Sequence, residues 1–274
     1  VQARIYSNWG QYEKALVVLE EALAKNPFDI KAWNNKGGVL SRLERYEDAL
    51  TAYRKTTELA PDFLMPLYNT VSLLMCKLHR YNEALIVINK LIQFDPKNVD
   101  ILNDKRICLT NLSRFDEALV ETNKLIELDP KNAKFWVDKS SYLWYLSRFT
   151  ESLSAVQEAL VLEPNNVQAW HNKALDLENQ GRNIEALDAY NVILEITPEN
   201  GVFWRQKALI LENLQLYDEA LYAYDKAIKF WNSEKTGPFH NKAELLRKMG
   251  RFEESLTFYN FALTCNCDDA TVWN

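Results

Sequence analysis

The chain has 274 residues, of which 32 are basic and 38 acidic, giving a formal net charge of −6 at neutral pH. With a pI near 5.3, that balance argues against a surface built to neutralise a nucleic-acid backbone, and no apolar run is long enough to span a membrane. Only seven glycines are present and no strand-like alternation appears, so an all-helical chain is expected.

Taken in order, residues 1–29 read as the tail of a helical unit, with Gly10 at a turn, Tyr12, Ala15 and Ala22 along a helix, then Pro27. The next stretch, Ile30 to Asp62, shows the pattern completely. Trp33, Gly37 and Leu40 mark one face of a first helix. Tyr46, Ala49, Leu50, Tyr53, Thr56 and Ala60 mark a second helix, which Pro61 stops. Neither helix can bury its apolar face alone, so the unit needs neighbours. They follow at intervals of 34 or 35 residues: Trp33, Tyr68, Leu102, Trp136, Trp170, Trp204, Phe239 and Trp273 share one register. Pro27, Pro61, Pro96, Pro130, Pro164 and Pro198 keep the same step, as do Ala15, Ala49, Ala84, Ala118, Ser152, Ala186, Ala220 and Ser255.

With Trp33 counted as position four, complete units are predicted at 30–64, 65–98, 99–132, 133–166, 167–200, 201–235 and 236–269. A partial unit, 1–29, precedes them and 270–274 opens another, so the chain reads as part of a longer protein. Between units, Asp29, Asn98, Asn132, Asn166 and Asn200 are expected to cap the following helix. Within units, Arg45, Arg80, Arg114, Arg148, Arg182 and Arg251 recur at the turn and are expected to bond the last carbonyls of the first helix. Two junctions depart from the pattern: Ala60–Pro66 and Trp231–Pro238 are each one residue longer. Asp176 sits where an apolar residue is usual and Asn183 replaces the turn aromatic, so the unit at 167–200 is expected to pack least well.

A Trp, a small residue four later, an aromatic, an Ala and a closing Pro repeated at a period of 34 resemble the tetratricopeptide repeat, and the resemblance covers the whole chain. It implies an all-α, right-handed superhelical solenoid of antiparallel helix pairs, about eight units forming a single domain over 1–274. The Trp-x-x-Lys start of several units is similar to repeats abundant in archaeal and bacterial proteins. In this family the stripe formed by positions two, six, nine and thirteen of the first helices lines a concave groove.

Position six holds Asn35, Thr70, Asp104, Asp138, Asn172, Gln206 and Asn241. An amide can donate to and accept from a peptide backbone at once, so such a ladder can grip an extended chain. This is similar to the asparagine ladder in the repeat superhelix of O-linked N-acetylglucosamine transferase, matched strictly by Asn35, Asn172 and Asn241. Position nine contributes Leu73, Ile107, Leu175 and Leu209, and beside its break at Ser141 stand Trp144 and Tyr145. Trp144 is the expected exposed anchor. Lys36, Lys105, Lys139, Lys173, Lys207 and Lys242 recur at position seven, where their stems are expected to cover apolar surface. Chaperone-binding members of the family clamp a C-terminal carboxylate with a cation at position six, which no unit here provides.

His79, His171 and His240 fall in separate units, and no metal, phosphate-loop or nucleophile pattern appears. Cys76, Cys108, Cys265 and Cys267 form no disulfide or zinc pattern, so reducing, cytoplasmic surroundings are expected. The sequence thus predicts a protein-interaction scaffold that is not an enzyme and needs no cofactor. It would hold a protein or peptide partner, extended or helical, in its groove, without nucleic acid or membrane. The alternative is a regulatory or targeting module of a larger enzyme or signalling protein. The uncapped ends also offer end-to-end self-association.

Overall fold

The computed structural model describes the backbone of residues 2–231 and 237–265 and the side chains through Leu263. Among these residues are sixteen α-helices and no strand. They divide into two compact bodies, one within Val1–Asp129 and the other within Pro130–Asn274. The first holds α1 (Gln2–Asn8), α2 (Tyr12–Lys25), α3 (Ile30–Arg42), α4 (Tyr46–Leu59), α5 (Met65–Cys76), α6 (Tyr81–Phe94), α7 (Val99–Asn111) and α8 (Phe115–Leu128). The second holds α9 (Ala133–Tyr145), α10 (Phe149–Leu162), α11 (Val167–Asn179), α12 (Asn183–Ile196), α13 (Gly201–Asn213), α14 (Tyr217–Lys229), α15 (Gly237–Lys248) and α16 (Phe252–Cys265). Trp273, Cys267 and most of the Trp231–Pro238 junction lie outside the described residues.

No helix exceeds 14 residues, so none would be stable alone in water, and their order comes from packing as antiparallel pairs. The repeated small residue is enclosed within its pair. Ala15, Ala49, Ala84, Ala118, Ala186 and Ala220 are all fully buried. Where serine replaces alanine, the hydroxyl is satisfied across the pair: Ser152 Oγ donates to the Ser140 carbonyl and Ser255 Oγ to the Ala243 carbonyl, both at 2.9 Å. Gly37 serves close packing in another way. A Cβ there would lie 2.5 Å from the Tyr53 ring, so the glycine is what allows that buried aromatic against α3.

Each periodic marker has a mechanical role. The residue before each spacing proline is driven out of the helical region, and Asn26, Ala60, Asp95, Asp129, Glu163 and Thr197 are accordingly extended with ψ from 67 to 92°. The tryptophan six residues further on latches that break. Trp33, Trp136, Trp170 and Trp204 each donate the indole N–H to the carbonyl of the preceding Pro27, Pro130, Pro164 or Pro198, at 2.8–3.0 Å. Asp29, Asn98, Asn166 and Asn200 cap their helices through the side chain as predicted, but Asn132 does not.

The turn arginines differ from expectation. The bond to the first helix is made by their backbone: Arg45, Arg80, Arg114, Arg148, Arg182 and Arg251 each donate the main-chain N–H to a leucine carbonyl there. The guanidinium instead reaches forward to the carboxylate three residues on, pairing with Asp48, Glu83, Glu117, Glu151, Glu185 and Glu254 respectively. The reason is geometric. The turn residue before the arginine, as in Glu44, His79, Ser113, Ser147, Gly181 and Gly250, has positive φ, which swings the chain so that the arginine becomes the N-cap residue of the second helix. The acidic first turn of that helix is then its nearest partner.

The face of the first helices

Within the Val1–Asp129 body, α1, α3 and α5 together line an open groove. Its larger part, about 540 Å³, is bounded by Ser41, Arg42 and Tyr53, with Asn69, Ser72 and Lys77 opposite. An adjoining space of about 230 Å³ is bounded by Arg4, Ser7, Asn34, Asn35, Arg42 and Asn69. The two share Gly38, Arg42 and Asn69, so they form one continuous feature. Gly38 floors it, and the nearest atom to a Cβ there is Tyr53 Oη at 3.8 Å. Burial pushes the Tyr53 phenol up to about 12, so it stays protonated at neutral pH and can donate.

Of the residues singled out from the sequence, Asn35 is exposed in this groove. Leu73 also borders it, but is only 4% exposed; it is a core residue rather than an offered apolar contact. Asp104 and Ile107 are half-buried on α7, and burial together with nearby Asp100 raises the Asp104 carboxyl above its ordinary value.

In the Pro130–Asn274 body the position-six side chains are mostly turned to packing. Asn172 is buried, and its amide nitrogen donates to Ser140 Oγ at 2.7 Å and Ser141 Oγ at 2.9 Å, while its oxygen accepts from Gln168. Both ends of that amide are therefore occupied by the protein. Asn241 Oδ1 accepts from Arg205 Nε at 2.7 Å. Asp138, Gln206, Leu175 and Leu209 are half-buried, and Leu209 packs on the core around Leu211 and Tyr224. Trp144 is half-buried with its indole nitrogen enclosed, whereas its neighbour Tyr145 is 57% exposed and meets it edge-on at 5.2 Å between ring centroids. The exposed aromatic of this face is thus Tyr145, not Trp144.

The position-seven lysines are structural. Lys36, Lys139, Lys173 and Lys207 hold the ammonium 4.7–5.6 Å from the centroid of the tryptophan three residues earlier, within cation–π range. Lys105 pairs with the buried Glu121 at 2.8 Å, and Lys242 pairs with Asp225 above the Phe258 ring.

Sequence reading passed over Arg42, Lys77, Asn34 and Asn69. Arg42 and Lys77 occupy position thirteen, on the stripe already assigned to the groove, and the two asparagines occupy position five. The available signal was therefore the identity of position thirteen, cationic in these two units and Tyr145 further along. Among the described residues, no group of three or more His, Cys, Asp or Glu is arranged to hold a metal ion, and no helix is long and apolar enough to cross a membrane.

Antiparallel helix pairs recurring every 34 or 35 residues, four of their junctions latched by a tryptophan, define a helical-repeat protein. Models of the tetratricopeptide repeat match residues 1–28, 30–63 and 137–201, and the chain belongs to that family. It is similar to the Hsp70-Hsp90 organizing protein 3 of Arabidopsis thaliana, 26% identical over 99 residues, which are 36% of this chain and 18% of that protein. The chain therefore spans less than a fifth of the length of that curated relative. Among solved structures, a tetratricopeptide repeat protein from Parabacteroides merdae aligns with TM-score 0.64 at 14% identity, covering 89% of this chain and 95% of the other. YrrB, described as having an unusual peptide-binding site, aligns with TM-score 0.55 at 21% identity over 66% of this chain and 92% of its own.

Proposed function

We propose that this chain is a protein-interaction scaffold that holds a peptide segment of its partner along the first-helix face. In the Val1–Asp129 body the contact would run through the groove of α1, α3 and α5, with Asn35 and Asn69 bonding the partner backbone. In the Pro130–Asn274 body the contact would be Tyr145, the exposed aromatic of its first helix, with half-buried Leu175 and Gln206 on the later first helices. The observation that carries this reading is the groove itself: an open, donor-rich space on helices whose opposite sides are committed to packing. An extended peptide brings unsatisfied N–H and C=O groups at every residue, and amides facing such a space meet both. The similarity to YrrB, whose description names a peptide-binding site, and to a chaperone-organizing protein supports the same class of partner. No catalytic role is assigned to any residue.

The test is selection from a random peptide library on the immobilised chain, followed by binding of the selected peptides to a Gly38→Trp variant. An indole at Gly38 would fill the groove floor, where only Tyr53 Oη comes within 4 Å of a Cβ. Peptides should be retained by the wild type and lost by the variant while far-UV circular dichroism stays the same. Equal retention by both proteins would remove the groove from the account.

A further inference from the structure

Amides alone would suffice for a groove that grips backbone without preference, but this one also carries three cations. Arg4, Arg42 and Lys77 line it, and among the described residues none of them forms an ion pair or a side-chain hydrogen bond. The contrast with the six turn arginines is informative, since each of those is neutralised by a carboxylate three residues away. Of the acidic side chains, only Glu44 borders the groove. The remaining polar groups there are also donors or can donate: the Tyr46 and Tyr53 hydroxyls, Ser41, Ser72 and the Asn69 amide. A chain with net charge −6 thus gathers an excess of positive charge on one face of one body.

We propose that the α1–α3–α5 groove selects acidic peptide segments, with Arg4, Arg42 and Lys77 pairing with side-chain carboxylates of the bound partner. This rests on the interaction-scaffold reading above and adds to it the chemistry of what is bound. Unpaired cations facing a concave space attract carboxylates over several ångströms, speed encounter and disfavour basic segments, so their effect is chiefly on selectivity and salt dependence. The hydroxyls and amides then complete the coordination of each carboxylate, which accepts bonds at both oxygens. The groups lie along two successive first helices, Arg42 on α3 and Lys77 just beyond α5, which suits carboxylates spaced along an extended strand rather than one terminal carboxylate.

The experiment uses the full chain and a random library of peptides with both ends blocked, so that only side chains carry charge. Peptides enriched on the wild type should be acidic, and their affinity should fall several-fold on raising the salt from about 50 to about 300 mM. Reversing the charges in an Arg42→Glu/Lys77→Glu variant should weaken the same peptides by roughly tenfold and shift enrichment towards lysine-rich sequences. Both side chains are exposed, and an Arg42→Gln/Lys77→Gln variant supplies a milder counterpart should the reversal disturb folding. Enrichment without charge bias, lost on Gly38→Trp, would overturn the acidic preference and leave the scaffold reading standing. The same preference in wild type and charge-reversed variant would overturn it likewise. Failure of the wild type to retain any peptide would sink both.

Discussion

Asp176 offers the sharpest test of the packing account. Position ten of the first helix is occupied by Val39, Leu74, Cys108, Tyr142, Ile210 and Leu245 in the other units, every one buried, and by Asp176 in α11, which is fully buried too. Its two carboxylate oxygens make no close hydrogen bond; the nearby Ser152 hydroxyl, already donating to the Ser140 carbonyl, offsets only part of the cost. Burial pushes the carboxyl from 3.8 up to about 6. The folded form therefore binds its proton more tightly than the unfolded chain. Stability attributable to this group is highest below about pH 4, falls as pH rises through the window from 3.8 to about 6, and stays low above it. Roughly two pH units correspond to about 3 kcal/mol, and since the site relaxes around the charge, about 1–3 kcal/mol is expected. Asp176→Asn should thus stabilise the chain by that amount at about pH 8 and have almost no effect at about pH 4. Asp176→Val, which restores the apolar residue of the other units, should be stabilising at both. Urea unfolding followed by circular dichroism gives the difference, and hydrogen exchange of the α11 and α12 amides localises it, which matters because repeat arrays need not unfold in one step. A destabilising Asp176→Asn at about pH 8, or an effect independent of pH, would refute the reasoning.

Other substitutions separate packing residues from groove residues. Asn172→Ala leaves the Ser140 and Ser141 hydroxyls without their buried donor and should cost about 1–3 kcal/mol, whereas Asn35→Ala at an exposed site should leave the urea midpoint unchanged and weaken peptide binding. Trp170→Phe removes the bond to the Pro164 carbonyl and part of the surface under Lys173; a loss of about 1 kcal/mol is expected in urea titration, and an unchanged midpoint would count against the latch. Gly201→Ala would place a Cβ 2.8 Å from the Ala227 and Phe230 carbonyl oxygens, so thermal unfolding should report a loss of about 1–3 kcal/mol, far from the small gain normal for glycine to alanine in a helix.

The fold was legible because each periodic residue performs one mechanical task that does not depend on distant parts of the chain. Pro27 breaks a helix through its own ring, Asp29 caps the next through an N–H three residues away, and Trp33 reaches back six residues to hold the break. The register of these marks fixes where the first helices begin, at Ile30, Met65, Val99, Ala133, Val167 and Gly201. The candidate site was legible only in part, because the direction of a polar side chain at position six is set by the preceding first helix. Asn172 turns inward because Ser140 and Ser141 there are small and offer acceptors, while Asn35 follows no such pair and stays exposed. Periodicity alone could not separate the two asparagines. Nor could it show that the turn arginines spend their charge on Asp48 or Glu83 while Arg42 and Lys77 keep theirs, since that requires knowing which carboxylates come within reach. Asp176, read from the sequence as a weak point of its unit, is fully buried in α11 beside the core residue Leu177, and that burial raises its carboxyl above the ordinary value.

Cys76 supplies the most direct test of the central claim, that partner peptide lies in the first-helix groove. It is exposed and borders the larger part of the groove, whereas Cys108 is buried with its thiol pushed up to about 12 and so resists alkylation at neutral pH. In a Cys265→Ser/Cys267→Ser background, the rate of alkylation by iodoacetamide reports on Cys76 alone. A saturating library-selected peptide should slow that reaction several-fold. An unchanged rate with peptide bound would place the partner elsewhere on the protein and contradict the account.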